Sequence, residues 1–310
     1  MITILMAAYN GEKYIAEQIE SILHQTERGW KLVIQDDCSA DGTFKIAEEY
    51  ARKYPGRILA VQRKTPFGSA QNNFFSMLRF ANSEYTMFCD DDDIWLPDKI
   101  HITLAEMKRL EQSSGPETPL LVHTDLRVAN SELKMISSSM VRTQKLDPAR
   151  TSLNRLLVQN NATGCTMMVN RPLLDLAVRR GLPRHAVMHD WWLALIASAL
   201  GKIGFVPRAT VLYRQHRNNQ VGAKNAGSLR YNLRRLANGE AVRQSLDAAY
   251  GQAVEFLDRF GPLLDESQKR LLRDFISISF LGKWKRLFTI QKGDFWKTGF
   301  FRKCGQIWFT

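Results

Sequence analysis

Short apolar runs alternate with amphipathic segments through the first third of the chain. Between the first two runs, Ile15, Ile19, Ile22 and Leu23 recur at the spacing of one helix face. The predicted strands are residues 2–8, 31–35, 57–62 and 85–89. Because strands and helices alternate, we expect an α/β fold with a mostly parallel central sheet flanked by helices.

The second half of the chain has a less regular pattern. Residues 130–148 are polar and weakly patterned, and we expect a mobile loop near the substrate there. From Ser228 onward the pattern is helical and basic. The other predicted elements are helices at 97–112, 153–159 and 189–200, and strands at 120–128, 165–169, 203–206 and 210–213.

Polar clusters directly follow three of the predicted strands. They comprise residues 9–11, 36–41 and 90–93. In parallel sheets, ligands bind beyond the carboxyl ends of the strands. We therefore expect these three clusters to line one crevice.

Four consecutive aspartates, residues 90–93, stand between apolar residues. Carboxylates this close repel one another unless a cation lies among them, and hard divalent ions prefer oxygen ligands. Asp90 and Asp92 form an Asp-x-Asp pair. Such a run also fits a solvated acidic loop, but the apolar neighbours Phe88 and Ile94 count against that interpretation. A metal held in this way commonly serves a diphosphate.

Three further side chains are candidates for chemistry, and each has a structural alternative. Asp37 fits a contact to a base or to sugar hydroxyls, or a turn that caps a helix. Asp190, between a histidine and two tryptophans at a helix start, fits a general base of raised proton affinity or an N-cap. His216, at a strand end, fits a metal ligand or a structural histidine.

The composition is that of a globular protein, with 45% hydrophobic and 24% charged residues in a chain of 310. The formal net charge is +12, and residues 224–310 hold 16 basic against 8 acidic residues, which indicates an anionic partner. The four cysteines lack metal-type spacing and indicate reduced thiols in a cytosolic setting. We expect neither a signal peptide nor a membrane-spanning helix.

The C-terminal segment is both basic and aromatic. Residues 283–310 contain seven Lys or Arg, one Asp and eight aromatic residues. This pattern fits a segment at a membrane interface, a nucleic-acid contact or an ordinary packed helical pair. Nucleic acid is the weakest of the three, because no RNA-binding signature or zinc-finger spacing is present.

Seven segments occur in a fixed order along the chain. They are AAYNGEKYIAEQIESILHQT (7–26), QDDCSADGT (35–43), GSAQNNFF (68–75), CDDDDIWLPDKI (89–100), NNATGCTMMVN (160–170), HDWW (189–192) and YRQHRNN (213–219). In this order they resemble family 2 glycosyltransferases of the GT-A fold, and especially bacterial rhamnosyltransferase-type enzymes of polysaccharide and O-antigen assembly. The resemblance implies a Rossmann-like GT-A catalytic domain at residues 1–222 and a basic, aromatic-rich helical extension at 223–310.

The resemblance also implies a role for each matching position. Asp190 would be the catalytic base, and Asp90, Asp92 and His216 would hold the metal, with Asp92 the direct ligand. Asp91 stands where the family often has a neutral residue, which leaves open which two of the four aspartates face the metal. The implied donor-binding residues are Ala8, Tyr9, Asn10, Glu12, Asp37, Asn73, Asp90, Asp91 and Arg214. The implied acceptor-binding residues are Gly164, His189, Trp191 and Trp192.

The implied reaction is inverting, metal-dependent sugar transfer with Mg²⁺ or Mn²⁺ as cofactor. We expect rhamnose to move from dTDP-rhamnose to a hydroxyl of a growing, lipid-linked cell-surface glycan. A UDP-hexose donor is the alternative. A non-catalytic nucleotide-sugar-binding protein and a nucleotidyltransferase are further alternatives, although no Gly-rich basic phosphate loop follows the first strand.

The expected partners follow from the same resemblance and from the charge of the C-terminal region. They are a dTDP- or UDP-sugar donor, a glycan or lipid-linked oligosaccharide acceptor and the inner-membrane surface, with no nucleic acid. The expected location is cytoplasmic, peripheral on the cytoplasmic face of the inner membrane.

Overall fold

A computed structural model describes residues 1–216 and 239–309 of the chain. The predicted domain boundary at 222/223, the start of the basic helical region at Ser228 and the last three residues of the YRQHRNN segment lie outside this range. The described strands are β1 (Ile2–Ala8), β2 (Trp30–Asp36), β3 (Ile58–Gln62), β4 (Tyr85–Asp90), β5 (Ile94–Trp95), β6 (Leu120–Asn130), β7 (Met135–Ser137), β8 (Met167–Asn170) and β9 (Lys202–Gln215).

The helices divide into those within the sheet region and those after it. The first group is α1 (Ile15–Leu23), α2 (Thr43–Lys53), α3 (Ala70–Met77), α4 (Lys99–Ser114), α5 (Met140–Thr143), α6 (Leu153–Val158), α7 (Arg171–Arg179) and α8 (His189–Leu200). The second group is α9 (Gly239–Phe260), α10 (Glu266–Ser277), α11 (Lys283–Gly293) and α12 (Phe300–Phe309). Within the described ranges, no helix is both long and apolar enough to cross a bilayer.

One sheet of order β3-β2-β1-β4-β8-β6-β9-β5 organises the molecule, and β7 pairs with β6. The half that contains β1 to β4 is parallel, as predicted. Strand β8 runs antiparallel between β4 and β6, so the described sheet as a whole is mixed. The carboxyl ends of β1, β2 and β4 lie side by side, because Ala8 pairs with Asp36 and Ala7 with Asp90.

Strand β1 lies in the middle of the core and is buried along its whole length. Its side chains alternate between two hydrophobic clusters, with Ile4 and Met6 on one face of the sheet and Leu5 and Ala7 on the other. Helices α1, α2 and α4 cover the first face. Helices α3, α7 and α8 cover the second, together with residues of α9, α10 and α11. The C-terminal helices therefore share a hydrophobic cluster with the sheet.

Two predictions for the second half of the chain were wrong in detail. The two short strands at 203–206 and 210–213 are one strand, β9, which shifts register against β6 near Asp125. The segment 130–148 is not a featureless loop, since it contains β7 and α5. Asp125 holds α5 in place, because its carboxylate accepts hydrogen bonds from the Ser139 hydroxyl at 2.5 Å and from Val141 N at 3.2 Å.

Candidate active site

A cavity of about 810 Å³ opens at the carboxyl ends of β1, β2 and β4. The N-terminal end of α8 and parts of the C-terminal helices form its other walls. Thirteen of the sixteen predicted site residues line it, namely Ala8, Tyr9, Asn10, Asp37, Asn73, Asp90, Asp91, Asp92, Gly164, His189, Asp190, Trp191 and His216. The expectation of one shared crevice is confirmed for the three polar clusters that follow the strands.

The loops after β1 and β2 are joined by hydrogen bonds. Asn10 adopts a left-handed conformation with φ 52°, which asparagine tolerates better than most residues. Its backbone N–H donates to Ser39 Oγ at 2.9 Å, and its side-chain oxygen accepts from Ala40 N at 2.9 Å. Glu12 continues this joint, since its carboxylate accepts from Gly42 N at 3.1 Å. Glu12 does not line the cavity. Its hydrogen bond holds together the loops after β1 and β2, which do line it.

Asp37, in the loop after β2, is hydrogen-bonded to the loop that precedes α3. Its carboxylate is buried and accepts hydrogen bonds from Phe67 N at 2.8 Å and from Gly68 N at 3.0 Å. Asn73, at the start of α3, exchanges hydrogen bonds with Gln35, at 2.6 and 3.2 Å. Asp37 and Asn73, both predicted to bind the donor, therefore line the cavity, and their hydrogen bonds fix the neighbouring loop and strand.

Four carboxyls crowd together at the end of β4, where Asp93 is buried and Asp90, Asp91 and Asp92 are half-buried. Burial raises the pKa of all four carboxyls, that of Asp90 to about 7. Neighbouring carboxylates raise the pKa values of Asp90, Asp91 and Asp93 further, and Asp190 adds to the effect on Asp90. A divalent cation among these oxygens would offset the repulsion between the neighbouring carboxylates.

His216 faces this group from the end of β9. Its Nε2 lies 2.8 Å from Asp92 Oδ2, and its ring stacks on Tyr14 with centroids 4.9 Å apart. Asp90, Asp92 and His216 offer two carboxylates and an imidazole nitrogen at the cavity wall, which suits Mn²⁺ or Mg²⁺. These residue types are ones that such a metal accepts, and the three side chains stay the predicted ligands.

A second group of ionisable side chains lies beneath the first. The ligand atoms of Asp90, Asp93 and Cys165 lie within 4.8 Å of one another. Asp93 and Cys165 are buried and do not line the cavity, and a thiol is a softer ligand than Mg²⁺ or Mn²⁺ prefers. Burial also lowers the pKa of Lys99, whose ammonium faces this group, to about 8. We interpret these residues as buried ionisable groups that support the loop of residues 90–93.

Arg214 forms hydrogen bonds with the loop of residues 90–93, which we call the metal loop. Its Nε donates to Asp92 O at 2.8 Å, its backbone N–H donates to Asp93 Oδ1 at 3.0 Å, and its guanidinium pairs with Glu17. The side chain is buried and does not line the cavity. In the structure the guanidinium of Arg214 therefore holds the metal loop, and its contact with the donor stays a prediction.

Asp190 begins α8 and faces the cavity. Its Oδ2 accepts a hydrogen bond from Gly164 N at 3.0 Å, and its Oδ1 accepts one from Trp191 N at 2.6 Å. Burial outweighs these bonds and raises the pKa of its carboxyl to about 6. The group is therefore ionised at neutral pH and has a higher proton affinity than an ordinary aspartate, which suits a general base.

The residues beside Asp190 have different surroundings. His189 lies between Phe74 and Phe88, with ring centroids 4.0 and 4.9 Å away, and burial lowers its pKa to about 3, so its ring is neutral. Trp191 lines the cavity and donates from its indole N–H to Leu156 O at 2.5 Å.

Trp192 is a core residue. It is fully buried, and its indole packs edge-on against Phe256 and Phe260 of α9. Successive side chains on a helix point about 100° apart, so Trp191 and Trp192 face different environments. This corrects the predicted acceptor contact of Trp192.

The sequence interpretation missed a group of cavity residues from α6 onward. They include Gln159, Asn160, Ser245, Lys297 and Arg302. Asn160 belongs to the segment NNATGCTMMVN, but no role was assigned to it. For Lys297 and Arg302 the signal was the basic character of the C-terminal region, which did not distinguish them from its other cations.

Residues 3–116 match the family described as Glycosyl transferase family 2. The chain is also similar to the protein named dTDP-rhamnosyl transferase RfbG of Shigella flexneri. The two are 29% identical over 251 residues, which cover 78% of this chain and 82% of the relative.

Two solved structures resemble the whole described molecule. S. aureus TarS 1-349 in complex with UDP-GlcNAc gives a TM-score of 0.60 at 17% identity, covering 94% of this chain and 80% of that one. Mannosyltransferase PcManGT from Pyrobaculum calidifontis, in complex with GDP-Man and Mn²⁺, gives a TM-score of 0.52 at 15% identity, covering 94% and 84%. At these identities the likeness concerns the fold.

Proposed function

We propose that the chain transfers a sugar, with inversion, from a nucleotide sugar to an acceptor hydroxyl. The match of residues 3–116 to Glycosyl transferase family 2, the similarity to a dTDP-rhamnosyl transferase and the likeness in fold to the S. aureus structure support this proposal. One observation carries the inverting mechanism. The half-buried carboxylate of Asp190 and the acidic group at Asp90 and Asp92 line the same cavity. One cavity would thus supply both the base that activates the acceptor hydroxyl and the site that holds the leaving nucleoside diphosphate, as a single displacement at the sugar requires.

The donor would bind against the loops that follow β1, β2 and β4. Tyr9 is 60% exposed at the cavity edge, which leaves its ring accessible to a nucleotide base. Tyr9 N donates to Asp91 Oδ2 at 2.9 Å, so Asp91 couples the base-binding loop to the metal loop. We assign Ala8, Asn10, Asp37 and Asn73 to the wall of the same pocket, as the sequence predicts.

Asp90, Asp92 and His216 would hold Mg²⁺ or Mn²⁺. When bound, the ion supplies positive charge to the diphosphate oxygens and stabilises the leaving nucleoside diphosphate. Arg214 and Asp93 keep the loop in place through the hydrogen bonds described above.

Asp190 would accept the proton of the attacking hydroxyl at one of its two carboxylate oxygens. The amides of Gly164 and Trp191 fix the direction of that carboxylate. Any side chain at Gly164 would press on His189, since an added Cβ would lie 2.8 Å from its Nε2, so glycine lets the His189 ring pack against this backbone. We place the acceptor hydroxyl between this backbone and Trp191.

We propose rhamnose as the sugar and dTDP-rhamnose as the donor. The support is the similarity to the dTDP-rhamnosyl transferase of Shigella flexneri over most of both chains. A UDP-hexose remains the second candidate, because the S. aureus neighbour binds UDP-GlcNAc. The acceptor would be a growing cell-surface glycan carried on a lipid.

A panel of nucleotide sugars tests these proposals. The purified chain is incubated with dTDP-rhamnose, UDP-glucose, UDP-GlcNAc or GDP-mannose, and release of the nucleoside diphosphate is measured with Mg²⁺, with Mn²⁺ and with EDTA. We expect slow, metal-dependent hydrolysis that is fastest for dTDP-rhamnose. Preference for a UDP-sugar would replace the rhamnosyl assignment. Equal rates in EDTA would reject the metal, and no binding or hydrolysis of any donor would reject the transferase proposal.

We further propose that the chain is peripheral on the cytoplasmic face of the inner membrane, through the segment 278–293. This segment has four Lys or Arg and no acidic residue. Phe280, Trp284 and Phe288 are 85%, 82% and 69% exposed, although large aromatic side chains normally find cover. Aromatic residues at the acyl boundary, with cations on anionic headgroups, would satisfy both features.

Cosedimentation with lipid vesicles tests this placement. We expect binding to vesicles with anionic lipid at low salt, and weaker binding by a Trp284→Ser/Phe288→Ser double variant. Leu263→Ser, at an exposed apolar residue of another segment, is the control. Equal recovery of the double variant and the parent chain would refute the assignment.

A further inference from the structure

The ring of Tyr14 contacts two side chains near the end of β9. Tyr14 directly precedes α1, and it lines the cavity. Its ring stacks on the imidazole of His216, with centroids 4.9 Å apart and planes inclined by 27°. The guanidinium carbon of Arg214 lies 4.5 Å from the centroid of the same ring. One tyrosine therefore contacts a predicted metal ligand and the arginine that holds the metal loop.

The alternation of side chains along a strand explains why both groups reach the ring. Arg214 and His216 are two positions apart, so their side chains leave the chain on the same side. His216 directly follows Gln215, the last residue of β9. An imidazole turns about two side-chain bonds, and contacts that restrict this rotation help to fix the direction of its nitrogens. The stack on Tyr14 is such a contact.

Tyr14 is itself held by backbone hydrogen bonds. Its N–H donates to Gly11 O at 2.9 Å, and its carbonyl accepts from Gln18 N at 3.1 Å, in the first turn of α1. Gly11 N donates to Thr43 Oγ1 at 2.8 Å, which ties this turn to the start of α2. The ring therefore projects from a fixed backbone and can support the side chain of His216.

On its other side, His216 meets the metal loop. Its Nε2 lies 2.8 Å from Asp92 Oδ2, and both atoms belong to side chains predicted to hold the metal. Only 16% of the His216 side chain and 13% of the Asp92 side chain are exposed. Arg214 Nε donates to Asp92 O at 2.8 Å. The Tyr14 ring therefore packs against two of the residues that contact Asp92.

The contribution of such a stack is large enough to measure in metal binding. An aromatic pair changes an equilibrium constant by a factor of about two to ten. Without the stack, the imidazole would point at the metal position in only a fraction of its orientations. The apparent affinity for the metal would fall by that fraction.

We propose that Tyr14 is a positioning residue of the metal site, whose ring holds the His216 imidazole in the orientation that meets a cation beside Asp92. This inference rests on the proposed function, because it assigns a support to one of the predicted metal ligands. The ring, and not the phenol hydroxyl, makes both contacts, so phenylalanine should serve in its place.

Titration of the full chain with Mn²⁺ tests the proposal, and unbound Mn²⁺ is measured by its paramagnetic resonance signal. The titration is made with and without dTDP. The variants are Tyr14→Leu and Tyr14→Gln, which remove the ring, and Tyr14→Phe, which keeps it. Tyr54→Leu is the matched control, because Tyr54 stacks on Tyr50 and has the Lys53 ammonium 5.5 Å from its ring centroid, but lies outside the cavity. Circular dichroism establishes that each variant is folded.

We expect the Mn²⁺ dissociation constant to rise roughly three- to tenfold in Tyr14→Leu and Tyr14→Gln, the range of a lost aromatic pair. Tyr14→Phe and Tyr54→Leu should stay within about twofold of the parent chain. In donor hydrolysis, the Mn²⁺ concentration for half-maximal rate should rise in Tyr14→Leu by the same factor, and the rate at saturating Mn²⁺ should fall by less.

A double-mutant cycle separates positioning from a general structural role. In a His216→Asn chain, loss of the Tyr14 ring should change the Mn²⁺ dissociation constant by less than about twofold, because no imidazole is left to orient. A ring that only stabilises the fold would lower the affinity by the same factor in both backgrounds.

The proposal is overturned if Tyr14→Leu and Tyr14→Gln bind Mn²⁺ as the parent chain does, if Tyr14→Phe binds as weakly as they do, or if the loss is equal in both backgrounds. If only one of the two variants without the ring folds, its titration decides alone. If His216→Asn binds too little Mn²⁺ to measure, the comparison with Tyr14→Phe decides.

Failure of this inference is distinguishable from failure of the proposed function. A parent chain that binds no Mn²⁺, with or without dTDP, would reject the predicted metal ligands and the role of Tyr14 with them. A parent chain that binds Mn²⁺ with an affinity that does not depend on the Tyr14 ring would reject the role of Tyr14 alone.

Discussion

Replacement of Asp190 by asparagine tests the catalytic base directly. Asparagine keeps the shape of the side chain but cannot accept the proton of the acceptor hydroxyl. We expect turnover at saturating donor and metal to fall by roughly 10²- to 10⁴-fold, the usual contribution of a general base. Donor affinity should not change, because the donor is assigned to the loops after β1, β2 and β4.

The structure also gives the expected effect on stability. Burial raises the pKa of Asp190 from 3.8 to about 6, so holding this carboxylate ionised in the folded chain costs about 3 kcal/mol above pH 6. Asparagine removes that cost but satisfies only one of the two backbone amides that now donate to the carboxylate, at a loss of about 1–3 kcal/mol. The two effects nearly cancel, so we expect the variant to fold as stably as the parent at pH 8.

The pH dependence has a definite sign. Because the pKa of Asp190 is raised, the carboxyl is protonated and inactive at low pH, and turnover should rise as pH increases through about 6. The assay is the initial rate of nucleoside diphosphate release between pH 5 and pH 8, with acceptor, saturating donor and metal. Asp175→Asn, on α7 away from the cavity, is the matched control. An Asp190→Asn enzyme that retains more than about a tenth of the parent rate would refute the base assignment.

Three other changes probe the metal, the loops and the core. Asp92→Asn should abolish metal-dependent donor binding in calorimetry, because it removes the charge that faces His216 at 2.8 Å. Gly11→Ala should weaken donor binding roughly tenfold, because the added Cβ would collide with the Asp91 carboxylate that holds Tyr9 N. Trp192→Ala should lower the free energy of unfolding in urea by about 3–5 kcal/mol, since it empties a fully buried site.

Each of these changes has a matched control. Asp98→Asn removes a carboxylate outside the cavity, and Gly282→Ala adds a Cβ that meets no atom within 4 Å. Trp284→Ala removes an exposed tryptophan and should cost less than about 1 kcal/mol. Unchanged donor affinity in Asp92→Asn would remove Asp92 from the metal site. A small stability loss for Trp192→Ala, equal to that of Trp284→Ala, would contradict its position in the core.

The order of the elements and the polar residue types after the first strands could be predicted from the amino-acid pattern alone. Apolar runs of strand length and helical periodicity are local properties, and they predicted β1 to β4 and the helices between them. The predicted GT-A fold is confirmed by the structural neighbours. The polar clusters after the strands also met in one cavity, because neighbouring parallel strands bring their carboxyl ends to one edge.

Which of two adjacent or similar side chains faces the cavity depends on how the helices pack. Trp191 lines the cavity while Trp192 fills the core, and Arg214 lies under the metal loop while Lys297 reaches the cavity wall. These positions depend on how α8 packs against α9 and on the hydrogen bonds that hold the turn before α12. Such long-range contacts leave no local periodicity in the sequence, so only the folded chain distinguishes the side chains that reach the cavity from those that do not.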